Sequence, residues 1–277
     1  MHPICLSKRS VSVAASLAVL LGMLTACGTT TKSSVAGSNR SQLLIVSADT
    51  VNKSSLQYYA QQNAEARQKG ELVTSGAEYN RVYTIMQRMV PQVGVFRDDA
   101  TAWKWELVLI NEDTVNAHVM AGGKITFYTG LIRKLNLTDD EIAAVMGHEI
   151  SHALREHTRE KMSQQQAGGL VVGIGGALLG AGQASMQVAN MAKSLALDLP
   201  FSRGMETEAD EYGLELAARA GYNPKAAISL WEKMGKLGSG GPGFLSTHPA
   251  PADRMANLAA MQPKVQPLYD AALKTRR

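Results

Sequence analysis

Residues 148 to 152 read His148-Glu149-Ile150-Ser151-His152, the pattern H-E-x-x-H. Histidines four apart on a helix lie one above the other on one face, so their imidazoles can share a single zinc ion. The glutamate between them points near the same side, where it can take a proton from a water polarised by the metal. With only six histidines in 277 residues, a chance match is on the order of one per cent. Two histidines do not complete such a site. A catalytic zinc usually has three protein ligands and leaves the fourth position to water, so a Glu, Asp or His must arrive from another element.

The best candidate stretch is Ser202-Arg203-Gly204-Met205-Glu206-Thr207-Glu208-Ala209-Asp210, which opens an amphipathic helix running to about Ala220. Glu206 and Asp210 are four apart and share a face. One carboxylate can bind the metal while the other holds a ligand imidazole from behind. The same acids would also suit a helix N-terminus by complementing its dipole, so spacing alone leaves their role open. The motif itself needs a well-started helix. Thr138 is a good N-cap, Glu141 completes a capping box, and Ile142, Val145, Met146, Ile150, Ala153 and Leu154 recur at helical spacing. A buried helix of about twenty residues is expected. Gly147, a poor helix former beside the first histidine, is expected to let a neighbouring backbone pack closely.

The order H-E-x-x-H, then S-R-x-x-E-x-x-A-D, resembles the HtpX and CAAX prenyl protease family of zinc metallopeptidases (gluzincins). Asn116-Ala117, Gly122-Gly123 and Thr129-Gly130-Leu131 resemble that family's hairpin and turn ahead of the metal helix, and Thr247-His248-Pro249 with Arg254 resembles its C-terminal H-P-x-x-x-x-R element. The likeness covers residues 41 to 262 and is nearest to the LoiP-like branch of small bacterial outer-membrane lipoproteins. It implies His148, His152 and Glu206 as ligands of one zinc ion, Glu149 as general base, and Asp210 behind a ligand histidine. It also implies His248 near the substrate, donating to the oxyanion, and a substrate edge strand at Asn116, Ala117 and His118. His118 departs from the aromatic or apolar residue that many relatives carry there, and a proline usual before the glycine pair is absent.

The remaining histidines are read from position. His157 is five residues past His152, about 140° round a continuous helix, and is expected on the surface. His118 is expected on a strand, facing cleft or solvent.

The N-terminus reads as a processing signal, residues 1–26, with Lys8 and Arg9 before an apolar run from Val11 to Leu24. Leu24-Thr25-Ala26-Cys27 resembles a bacterial lipobox, which implies cleavage and lipidation at Cys27, and Gly28 after it favours the outer membrane, periplasmic face. Cys5 and Cys27 are the only cysteines, so no disulfide is expected in the mature chain. The net charge of +4 includes leader basics, and no basic run with interleaved aromatics suggests nucleic acid.

Residues 27–40, rich in Thr, Ser and Gly, are expected to be a lipidated flexible tether. Residues 41–265 form the expected peptidase domain and 266–277 a tail. Within the domain the pattern predicts a strand or docking segment at 41–46, helices near 50–69 and 77–90, and a strand at 103–110. A hairpin at 115–120 and 125–128, a helix from Asn223-Pro224 to about Leu237, and a last helix from Pro251 to about Met261 follow. The class is α+β: a mostly helical, zincin-like domain with a small mixed sheet and an edge strand beside the zinc helix. Residues 167–182, almost wholly Gly, Ala, Val, Leu and Ile with two G-x-x-x-G spacings, fit a lid or packed helix better than a membrane insertion.

These readings converge on a zinc-dependent endopeptidase acting on extended polypeptides, misfolded or membrane-associated, in the cell envelope. An alternative is a periplasmic quality-control or outer-membrane assembly factor with chaperone-like binding and little proteolysis. A different zinc hydrolase, such as a deformylase or amidase, would need other ligand motifs.

Overall fold

A four-stranded sheet sits behind the metal helix. The computed structural model describes residues 27–167, 190–191, 193–236, 243–249 and 253–275. In chain order the elements that matter are β1 (Cys27–Gly28), β2 (Gln42–Leu43), α1 (Ala48–Gln68), β3 (Leu72–Val73), α2 (Ala77–Met89), β4 (Glu106–Ile110), β5 (Ala117–Met120) and β6 (Lys124–Tyr128). They continue with α3 (Thr129–Lys134), α4 (Asp139–Leu154), α5 (His157–Ala167), α6 (Arg203–Arg219), α7 (Ala226–Gly235), the short α8 (Phe244–Thr247) and α9 (Arg254–Thr275). The sheet order is β3-β4-β6-β5. β4 and β6 pair in parallel, Glu106 opposite Lys124, and β5 returns antiparallel on β6, Ala117 opposite Phe127. The sheet is therefore mixed and β5 is an edge strand, as the pattern predicts. Gly122 and Gly123 both have left-handed φ, +80° and +81°, and Gly123 N–H closes the turn on the Met120 carbonyl at 3.1 Å. A side chain would strain both positions, which is why the turn carries a glycine pair.

α1 lays a stripe of Val51, Ser54, Ser55, Tyr59, Gln62 and Ala66 across the outer side of β5 and β6. On the inner side, α4 packs against β5, α2, α6 and α7. α4 begins with the expected capping box: Thr138 Oγ1 accepts from Glu141 N–H and Glu141 accepts from Thr138 N–H. Gly147 acts as expected. A Cβ there would lie 2.6 Å from the Gly213 carbonyl oxygen of α6, and a Cβ on Gly213 would lie 2.6 Å from His148 N. Two facing glycines thus let the helix carrying the H-E-x-x-H motif touch the helix carrying Glu206.

Three expectations are corrected. The metal helix is shorter than twenty residues: α4 stops at Leu154, Glu156 turns left-handed with φ of 49°, and α5 starts afresh at His157. Residues 27–40 do not form a free tether. Thr31 and Ser34 are buried, β1 pairs with β2, Lys32 N–H donates to the Phe96 carbonyl at 2.8 Å, and Tyr212 Oη donates to the carbonyls of Lys32 and Ser38. A Ser/Thr-rich stretch lacks apolar period, yet it docks through hydrogen bonds. Finally, residues 266–275 are helix, not tail. Buried Leu258, Met261 and Val265 are followed by Leu268 and Tyr269 on the same core, and this apolar period outweighs Pro263 and Pro267 in α9.

Residues 168–189, most of the glycine-rich segment, lie outside the described residues. No helix among the described residues is long and apolar enough to cross a membrane. Cys27 is exposed with a free thiol.

Candidate metal centre and active site

Four buried side chains converge at the junction of α4, α6 and α8: His148, His152, Glu206 and His248 each offer one donor atom, all within 4.8 Å of one another. His148 Nε2 and His152 Nε2 are 3.1 Å apart. Glu206 Oε2 lies 3.4 Å from His148 Nε2 and Glu206 Oε1 lies 3.4 Å from His152 Nε2. His248 Nδ1 lies 3.3 Å from His148 Nε2 and 2.9 Å from Glu206 Oε1. Donors bound about 2.0–2.1 Å from a tetrahedral zinc lie roughly 3.3 Å from one another, so the donor set fits one such ion.

The hydrogen-bond chemistry points the same way. His148 Nδ1 donates to Asp210 Oδ1 at 3.0 Å, which leaves its Nε2 with a lone pair. His152 Nδ1 is engaged by His157 Nδ1 at 2.9 Å, which leaves Nε2 of His152 with a lone pair too. Two opposed lone pairs at 3.1 Å repel unless a cation lies between them. Charge agrees: Arg254 pairs with Glu206 and Asp210, Glu149 lies beside His248, and with neutral histidines the three carboxylates exceed the one guanidinium by two charges, which matches a divalent ion. Burial opposes ionisation of Glu206, but the surrounding His248, His148 and His152 rings hold its carboxyl far below the usual range.

Arg254 is the hinge of the carboxylate side. It donates to Glu206 Oε2 at 2.9 Å and to Asp210 Oδ1 at 2.6 Å, and its guanidinium stacks 3.6 Å above Trp231. One side chain from α9 thereby fixes the orientation of the metal-side glutamate and of the aspartate behind His148.

Glu149 is buried, and its Oε1 has no hydrogen-bond partner among the described residues. His248 Nε2 is 3.3 Å from it but not aligned as a hydrogen bond. Burial pushes the Glu149 carboxyl above its ordinary range. A buried, unpartnered carboxylate oxygen beside the donor cluster is the arrangement a general base requires.

The sequence-predicted residues fall out as follows. His148, Glu149, His152, Glu206 and Asp210 come together. His248 also arrives, with a ring nitrogen among the four candidate donor atoms. Its ring is stacked between Phe201 and Phe244, with centroids 5.4 and 4.5 Å away. Four protein donors would close a tetrahedral zinc, so if His248 bound with the other three, no position would remain for water. Asn116 and Ala117 lead into the edge strand; Asn116 Oδ1 accepts from Ala117 N–H at 2.9 Å. At Val115 the edge is already used, its carbonyl accepting from Phe244 N–H at 2.8 Å. His118 faces neither cleft nor solvent: strand alternation turns it under α1, where its Nε2 meets Gln62 Oε1 at 3.3 Å, and burial pushes its pKa down to about 3. A groove beside His152 is lined by Val51, Trp103, Val119, Ala121 and Glu156, next to the end of β5.

His157 is the residue that sequence reasoning misplaced. It is fully buried, because the break at Glu156 lets α5 swing its first side chain back over His152. An offset of about 140° holds only along one continuous helix.

The model of peptidase family M48 matches residues 76–262. The chain belongs to peptidase family M48. The match spans β4, β5 and β6 of the sheet, the metal helix, α6 and the start of α9, hence every candidate site residue, and the mostly helical α+β fold is that of a zincin-like M48 domain. The family uses zinc, which the donor set fits. Among relatives, the mitochondrial metalloendopeptidase OMA1 of Arabidopsis thaliana is 40% identical over 156 residues, covering 56% of this chain and 31% of the relative. The protein of the same name from Schizosaccharomyces pombe is 37% identical, covering 59% and 48%. The beta-barrel assembly-enhancing protease of Escherichia coli K12 is 30% identical over 170 residues, covering 58% and 35%. The chain thus spans from about a third to about half the length of these relatives.

Proposed function

We propose that this chain is a zinc-dependent endopeptidase of the bacterial envelope, of the LoiP-like lipoprotein branch, held to the periplasmic face of the outer membrane by lipid on Cys27. The observation that carries the activity is the buried donor set of His148, His152 and Glu206 with the unpartnered Glu149 oxygen beside it. His148, His152 and Glu206 would hold a zinc ion, which would supply an acidified water and a Lewis acid for the scissile carbonyl. Glu149 accepts the proton of the attacking water and delivers it to the leaving amine. Asp210 and Arg254 keep His148 and Glu206 aimed. The groove past Val119 and Ala121 supports a substrate lying extended along β5, where main-chain hydrogen bonds would add a strand. Such binding takes unfolded segments of many sequences, which suits misfolded or membrane-associated envelope proteins. The names of the M48 relatives, a metalloendopeptidase and a protease that enhances β-barrel assembly, support that role. The lipobox-like residues 24–27 and the exposed Cys27 support the anchor.

A second reading has a specific observation behind it. With His248 among the candidate donors and Phe244 seated on Val115, a zinc bound by all four donors would be closed to water, which favours chaperone-like binding with latent proteolysis. Purified chain, assayed for bound zinc and for casein cleavage before and after a chelator, separates the two. The endopeptidase reading expects cleavage that chelation abolishes and zinc restores; a zinc-loaded chain that binds unfolded casein without cutting it supports the second. Location is tested by Cys27→Ser, expected to leave the membrane fraction or stay unprocessed, since stable anchoring needs more than one acyl chain. If it stays wholly with membranes at high salt, the lipid anchor is wrong and residues 167–182 become the candidate.

A further inference from the structure

We infer that His157 and Glu208 form a positioning pair for the metal ligand His152, the counterpart of Asp210 behind His148. The inference rests on the metal reading above. His152 aims Nε2 at the donor cluster, so its hydrogen sits on Nδ1 and is donated to His157 Nδ1 at 2.9 Å. His157 then carries its own hydrogen on Nε2 and donates it to Glu208 Oε2 at 3.0 Å. That order fixes both tautomers and leaves no choice at Nε2 of His152. The ring of His152 is also held edge-on to His157, centroids 4.8 Å apart, and against Phe201 at 4.2 Å.

Glu208 does not float. Arg155 donates to it at 3.0 and 3.3 Å, and Arg40 donates to it at 3.1 Å from two nitrogens. Arg40 also bridges to Glu160. A carboxylate so neutralised stays ionised inside the protein and keeps its acceptor turned to His157. The two ligand histidines therefore have parallel supports. His148 is backed directly by an aspartate held by Arg254, and His152 is backed through a second imidazole by a glutamate held by Arg155 and Arg40. Arg40 belongs to the segment that follows Cys27, so the metal helix and the N-terminal strap share one hydrogen-bonded network.

The test uses full-length chain carrying His157→Phe or His157→Asn. Phenylalanine fills the space without an acceptor; the asparagine side-chain oxygen can stand where Nδ1 stood. Zinc affinity is measured by competition with a chelator of known affinity, alongside thermal unfolding of the metal-free forms and kcat and KM. His157→Phe is expected to weaken zinc binding roughly 10- to 100-fold, the usual effect of losing such a partner, with metal-free unfolding little changed. His157→Asn is expected to recover most of the loss, and KM to move less than kcat at subsaturating zinc. Wild-type zinc affinity in His157→Phe overturns the inference. So does an equal loss in both variants, or a loss that follows a matching fall in metal-free stability, since either makes the role one of packing. If the wild-type chain itself binds no zinc, the metal reading fails instead.

Discussion

Gly213→Ala probes the contact that brings the two metal-binding helices together. In α6, alanine is a better helix former than glycine by about 1 kcal/mol, so propensity alone favours the variant. The structure opposes it. The new Cβ would sit 2.6 Å from His148 N, 2.7 Å from Gly147 C and 2.9 Å from Gly147 O. These are backbone atoms and cannot rotate away. Reaching ordinary contact at 3.4 Å requires α4 and α6 to part by about 0.8 Å. Overpacking of this kind costs about 1–3 kcal/mol, which exceeds the propensity gain. Metal–ligand distances tolerate only about 0.2 Å, and His148 and His152 on α4 must meet Glu206 on α6. The variant is therefore expected to lose zinc affinity sharply and to unfold at a lower temperature even without metal, by roughly 2–4 °C for each kcal/mol in a domain of this size. Gly235→Ala is the control: nothing lies within 4 Å of its Cβ position, and it is expected to be neutral or stabilising by up to about 1 kcal/mol. Thermal unfolding of metal-free protein and zinc titration decide it. A Gly213→Ala chain that unfolds and binds zinc like wild type refutes the close-packing argument.

Glu206→Ala is expected to abolish zinc-dependent stabilisation, which for a bound ion at 100 times Kd is about 2.7 kcal/mol, whereas His248→Ala is expected to keep one zinc per chain; metal analysis with thermal unfolding distinguishes them. Glu141→Gln keeps a capping-box acceptor but removes the charge paired with Lys233, 2.6 Å away, at a cost of up to about 1 kcal/mol. Burial works against the Glu141 charge, but Lys233, the Thr138 N–H and Ser229 hold its carboxyl below its ordinary 4.5. Its contribution is thus present above that pH and is lost as pH falls through the lowered value. The gap in stability between wild type and Glu141→Gln, followed by denaturant unfolding, should close on acidification; a gap that widens contradicts the assignment.

Local signals were the legible ones. The capping box at Thr138 and Glu141, the motif on α4, the carboxylates on α6 and the turn at Gly122-Gly123 all follow from short-range chemistry. Gly147 announced a close backbone approach, although its partner Gly213 could only be found in three dimensions. The misreadings share one cause: each extrapolated a local rule across a position where tertiary contacts took over. His157 was projected along a helix that breaks at Glu156. Residues 27–40 look free because they lack an apolar period, yet Thr31 and Arg40 dock through polar contacts. The last helix, expected to end near Met261, runs on because Val265 and Leu268 pack on the core past Pro263 and Pro267. His248 could be placed near the site by resemblance, but not among the donors, since that depends on how α8 lies over Phe201 and Val115.

The central claim is that Glu149 is the base of a metal-dependent hydrolysis and not a ligand. It is tested most directly by Glu149→Gln, with zinc content and peptide cleavage measured on the same sample. One zinc per chain, unchanged unfolding and nearly complete loss of turnover are expected. Substantial cleavage at full zinc occupancy would remove Glu149 from the mechanism, and loss of zinc would make it a ligand.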